Sequence, residues 1–91
     1  MLGVTESAPD CAMPLPSLQS TGDELFRMGL LYSTGQGGAP LDYVSAHMLF
    51  NLAALRGSED AKAYRRELSR EMDPVDVAEA QRAARRWLTA A

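Results

Sequence analysis

Apolar positions along the chain recur at intervals of three and four from residue 21 onward, the spacing of a helix with one buried face. A first helix opens at Thr21, whose hydroxyl stands three residues before Glu24 in the spacing of a capping box. Leu25, Met28, Gly29 and Tyr32 share its inner face. It ends near Ser33 or Thr34, because Gly35, Gly37 and Gly38 favour turn conformations and Pro40 disfavours a helical residue before it. Asp42 caps a second helix running from Tyr43 to about Arg56, with Gly57 as its left-handed terminator. Val44, Met48, Leu49, Phe50, Leu52 and Leu55 reach most of its circumference, so it is expected to be buried on several sides as the central helix. Ala46, Ala53 and Ala54 keep part of that helix thin enough for close neighbours.

Ser58 caps a third helix with Ala61, Tyr64, Leu68 and Met72 in one inward stripe and Lys62, Arg65, Arg66 and Arg70 outside. Asp73 followed by Pro74 opens a fourth, with Val77, Ala80 or Gln81, Ala84, Trp87 and Leu88 inward. No segment alternates at period two, so the expectation is an all-α domain over residues 21–91. Residues 1–20 hold Pro9, Pro14 and Pro16 without either period and are expected to form a flexible tail, docking of Met13, Leu15 and Leu18 being the alternative.

Composition narrows the function classes. At 91 residues and 46% hydrophobic content the chain suits one small globular domain. A net charge of −3 with a pI near 5.0 argues against nucleic acid as a partner. The longest apolar run, Leu52 to Leu55, is far below the roughly 18–20 residues that span a bilayer, so no membrane insertion is expected. Residues 1–11 lack the basic and apolar regions of a secretory signal, and the expected location is the cytoplasm.

Candidate chemistry is sparse. Cys11 has no second cysteine with which to form a disulfide or a zinc site, and His47 is the only histidine. His47 is expected on a helix surface or only partly buried. Glu59 and Asp60, adjacent on a helix, point about 100° apart and read as first-turn acids favoured by the helix dipole. The glycine-rich run from Gly35 to Gly38 lies between two helices, whereas phosphate-binding loops follow a strand. No nucleophile, base and orienting group come together, so no enzymatic activity and no cofactor are expected. Arg82, Arg85 and Arg86 complement the dipole of the fourth helix, with an anchor for an acidic partner segment or a terminal carboxylate as the functional alternative, which Arg65 and Arg66 would widen.

Several short motifs carry a resemblance. The first helix has Met28-Gly29-x-x-Tyr32 and the loop Gly35-x-Gly37. The second helix has Asp42-Tyr43-x-x-Ala46, then Phe50, then Ala53-Ala54-x-x-Gly57. Residues 25–57 thereby resemble one Sel1-like repeat, a helix-turn-helix unit of the tetratricopeptide-related class. The segment from 58 to 87, with Met72-Asp73-Pro74 and Trp87, is similar to the cap that follows the last repeat in bacterial members. Glu24 and Leu49 depart from the pattern, standing where the family has alanine and tryptophan. The resemblance implies a non-enzymatic protein-interaction adaptor or regulatory scaffold binding another protein or peptide, with Arg27, Leu31 and Tyr32 as first-helix contacts. One repeat is fewer than the three or so that a solenoid normally needs. A weak homodimer that completes the helical stack is therefore the rival reading, and exposed Leu30, Leu31 or Trp87 would mark it.

Overall fold

The computed structural model describes residues 20–90; the expected flexible tail, apart from Ser20, lies outside the described residues, as does Cys11. Four helices account for nearly all of the described chain: α1 Gly22–Thr34, α2 Tyr43–Leu55, α3 Glu59–Glu71 and α4 Pro74–Ala90. No strand occurs among the described residues.

Local chemistry sets the ends of these helices. Thr21 Oγ1 accepts from the Glu24 amide while the Glu24 carboxylate accepts from the Thr21 amide, a closed capping box that satisfies two donors left over at the first turn. The α1 helix stops at Gly35, whose φ of 72° needs no Cβ relief and whose amide bonds back to the Leu31 carbonyl. Asp42 caps α2 through both carboxylate oxygens, one to the Ser45 amide and one to the Ser45 hydroxyl. Ser58 caps α3 by accepting from the Ala61 amide.

The α2 helix packs against α1, α3 and α4 and is the central element, as its nearly all-round apolar pattern requires. α1 and α2 run antiparallel. At one end Gly22 sits against the carbonyls of Ala53 and Arg56, and at the other the Asp42 amide donates to the Tyr32 carbonyl at 3.0 Å. The core joins Leu25 of α1, Ala46, Leu49, Phe50, Leu52 and Ala53 of α2, Ala61 and Leu68 of α3, and Ala84 of α4.

Packing corrects several expectations. Leu55 is 67% exposed and Leu88 41% exposed, both lining a cleft that the helices leave open. Of the alternatives Ala80 and Gln81, Ala80 is the one buried, together with Ala84 one turn later. Tyr64 is 48% exposed, yet its ring edge meets Phe26 at 5.0 Å between centroids, and both rings contact Phe50 at 5.8 Å. Such edge-on aromatic contacts add to simple burial. This trio ties α1, α2 and α3 together through Phe26, a residue outside the expected inner face. Ser20 also departs from the tail reading: it is 6% exposed, and its carbonyl accepts from Arg56 Nη1 at 2.8 Å.

Gly29 faces α2, and the nearest side chain to it there is that of Phe50. A Cβ there would stand 2.5 Å from Cε1 and 2.6 Å from Cδ1 of Phe50. The ring of Phe50 lies where the side chain of residue 29 would be.

Candidate functional site

Two of the concave features of the surface combine apolar and charged side chains on helix faces that the bundle leaves uncovered. The larger, about 700 Å³, runs along α1 and is lined by Glu24, Arg27, Met28, Leu30, Leu31 and Gln36, with Ser20 at its end. It exists because α1 has one principal neighbour, α2, and a helix with one neighbour leaves most of its circumference open. Of the three first-helix contacts expected from sequence, Arg27 and Leu31 line this groove. Tyr32 does not: it is half-buried and packs against the core. Arg27 is tethered to Asp23 one turn earlier at 2.9 Å.

The second feature, about 350 Å³, is a cleft where α2, α3 and α4 converge, lined by Asn51 and Leu55, by Arg65, and by Gln81, Ala84, Arg85 and Leu88. Its basic side chains differ from the expected cluster. Arg82 and Arg86 both bind the Glu79 carboxylate, at 2.9 and 3.0 Å. Those two guanidinium groups hold the Glu79 carboxyl below its ordinary range. Arg85 lines the cleft instead, so the three C-terminal arginines divide between the Glu79 carboxylate and the cleft.

A polar chain leads from the cleft into the core. Arg65 Nη1 donates to Asn51 Oδ1 at 2.9 Å, and Asn51 Nδ2 lies 3.4 Å from His47 Nδ1. His47 Nε2 lies 2.8 Å from Ser69 Oγ, whose own hydroxyl donates to the Arg65 carbonyl at 2.9 Å. Since Ser69 has spent its proton on that carbonyl, it accepts from His47, which places the imidazole proton on Nε2 and leaves Nδ1 to accept from Asn51. The neutral ring satisfies every contact. A second ring proton would face the Asn51 amide donor.

His47 is 1% exposed, which overturns the expectation of a surface or partly buried residue. Burial lowers its pKa below 6.5, and the Arg65 charge lowers it further. The sequence carried a signal for this network. In an antiparallel hairpin, a step of four forward along α2 matches a step of four back along α3, and His47 and Asn51 answer Ser69 and Arg65 in that register. Arg65 is correspondingly half-buried rather than outside.

Among the described residues, no group of three or more His, Cys, Asp or Glu side chains is placed to hold a metal ion. No helix among them is long and apolar enough to cross a membrane. No protein-family model, curated protein or solved structure matches this chain.

Proposed function

We propose that the chain is a non-enzymatic protein-interaction module, an adaptor or regulatory scaffold of the bacterial Sel1-like type. The observation that carries this reading is the groove along α1, about 700 Å³ in volume, with Met28, Leu30 and Leu31 forming its apolar floor and Glu24, Arg27 and Gln36 its polar rim. An apolar strip between polar edges matches the apolar face of a partner helix or peptide, the helix-in-groove mode of recognition. The groove's volume sits within the roughly 300–1,000 Å³ typical of ligand sites. The motifs shared with Sel1-like repeats support the same reading, since the pair α1 and α2 spans them.

Self-association as the main role has less support. Leu30, Leu31 and Trp87 are half-buried, and Leu30 and Trp87 pack against the core.

Panning a displayed peptide library on the purified chain tests the proposal. Selected peptides should carry apolar residues at helical spacing, shift the amide resonances of Arg27, Met28 and Leu31, and lose binding to Leu31→Glu. Selected peptides that bind Leu31→Glu undiminished would refute it.

A further inference from the structure

We propose that the cleft between α2, α3 and α4 is a second docking site, taking a carboxylate borne beside an aliphatic side chain on a partner peptide. It shares no residue with the groove of α1 and does not depend on that groove's role.

Charge complementarity carries the assignment. In a chain of net charge −3, five basic side chains are matched to carboxylates: Arg27 to Asp23, Lys62 to Glu59, Arg70 to Glu67, and Arg82 and Arg86 to Glu79. Arg65, Arg66 and Arg85 enter no ion pair among the described residues, and of these Arg65 and Arg85 line this cleft while Arg66 stands outside it. Arg65 spends one donor on Asn51 Oδ1, a neutral acceptor that leaves the guanidinium charge unbalanced. Guanidinium groups present several donors in one plane and pair with carboxylates in charge-assisted, often bidentate, hydrogen bonds.

The apolar half of the site is supplied by Leu55 and Leu88, two of the large hydrophobic side chains that the fold leaves exposed. They stand in the same cleft as the two arginines. Exposed leucines beside unbalanced cations suit a ligand that is apolar on one side and anionic on the other. At about 350 Å³ the cleft lies at the small end of ligand sites, too small for a helix and large enough for a residue or two. Room for a residue or two suits the end of a partner chain, where the last side chain and the terminal carboxylate arrive together, whereas an internal Asp or Glu would bring chain on both sides.

The test uses three short probes on the intact chain: acetyl-valyl-leucine with its terminal carboxylate, acetyl-aspartyl-leucine amide with a side-chain carboxylate, and acetyl-valyl-leucine amide with none. Binding is followed by amide and His47 ring resonances. Acetyl-valyl-leucine should bind about tenfold or more tightly than the neutral amide, the equivalent of one charge-assisted hydrogen bond, and more tightly than acetyl-aspartyl-leucine amide. Its shifts should centre on Asn51, Leu55, Ala84 and Leu88. The His47 ring should respond as well, because an anion on Arg65 offsets the charge that acts on it. Arg85→Gln should remove most of the preference for the acid, while Arg66→Gln, an exposed position outside the cleft, should leave it unchanged. Tighter binding of acetyl-aspartyl-leucine amide than of acetyl-valyl-leucine would overturn the assignment to a chain end. Equal binding of acid and amide, shifts centred elsewhere, or a homodimer in sedimentation that Arg85→Gln dissolves would overturn the proposal.

Discussion

Replacing Gly29 with alanine sets two effects of known size against each other. In a helix interior, glycine to alanine gains up to about 1 kcal/mol, because alanine loses less backbone entropy on folding. At this position the new methyl would lie 2.5 Å from Phe50 Cε1 and 2.6 Å from Cδ1, so the ring must move by about 1 Å to reach ordinary carbon contact. Phe50 is buried and flanked by the rings of Phe26 and Tyr64, which leaves it little room. Overpacking of this kind costs about 1–3 kcal/mol. The net expectation is a loss of about 1–2 kcal/mol, a large share of the roughly 7 kcal/mol expected for a domain of this size. In a thermal melt that is a fall of about 4–8 °C per kcal/mol.

Urea denaturation of Gly29→Ala, Phe50→Leu and the double variant separates the terms. Phe50→Leu alone should cost less than the roughly 3–5 kcal/mol of truncation to alanine. With the ring gone, Gly29→Ala should become neutral or stabilising, giving a coupling of about 1 kcal/mol or more between the two sites. Gly29→Leu, which adds three more carbons at the same contact, should be worse than Gly29→Ala. A stabilised Gly29→Ala, or zero coupling with Phe50, would refute this account of the crossing of α1 and α2.

Gly22→Ala should also destabilise, by about 1–3 kcal/mol in urea denaturation, and no shortened side chain will rescue it, because its Cβ would meet the Arg56 carbonyl oxygen at 2.8 Å. Below pH 6.5 the unfolded chain takes up a proton at its histidine that the folded chain refuses, so stability should fall by up to about 1.4 kcal/mol per pH unit until the lowered folded pKa is passed. His47→Gln should flatten that slope, and a His47 resonance titrating at or above 6.5 would contradict it. The contribution of Glu79, whose folded pKa is lowered, disappears only as pH falls below about 4.5, a separate window. Trp87→Ala should cost about 3 kcal/mol as a half-buried indole packed on the core, and the unsubstituted chain should sediment as a monomer over two decades of concentration, with a melting temperature that does not change with concentration. A dimer persisting at the lowest concentration would reverse that assignment.

What the sequence made legible was whatever is decided within one turn of helix. Thr21 with Glu24, Asp42 with Ser45, Ser58 with the Ala61 amide, and Gly35 after Thr34 act over three residues or fewer, and their patterns predicted the helix ends. The central place of α2 was legible for a different reason: apolar residues on nearly every side leave a helix no stable position except between neighbours. Which side is left over was not legible. Leu55 satisfies the apolar pattern as well as Leu52 does, and only the number and placement of the other helices makes one exposed and the other buried.

The two surface features fall on the illegible side of that division, and for one physical reason. A groove or cleft is made by what does not pack, and periodicity within a helix reports what does. Arg85 shows the consequence: the sequence groups it with Arg82 and Arg86 and allows Arg65 to widen the set, but only the fold shows that Glu79 claims Arg82 and Arg86 and leaves Arg85 lining a cleft with Arg65. His47 shows the reverse. Alone in the sequence it has no partner for chemistry, but the register of α2 against α3 supplies Ser69 and Asn51 and makes it a buried neutral link next to the cleft. Burial lowers the pKa of His47 and the charge of Arg65 lowers it further, so an anion bound at Arg65 would raise the pKa of a histidine it never touches.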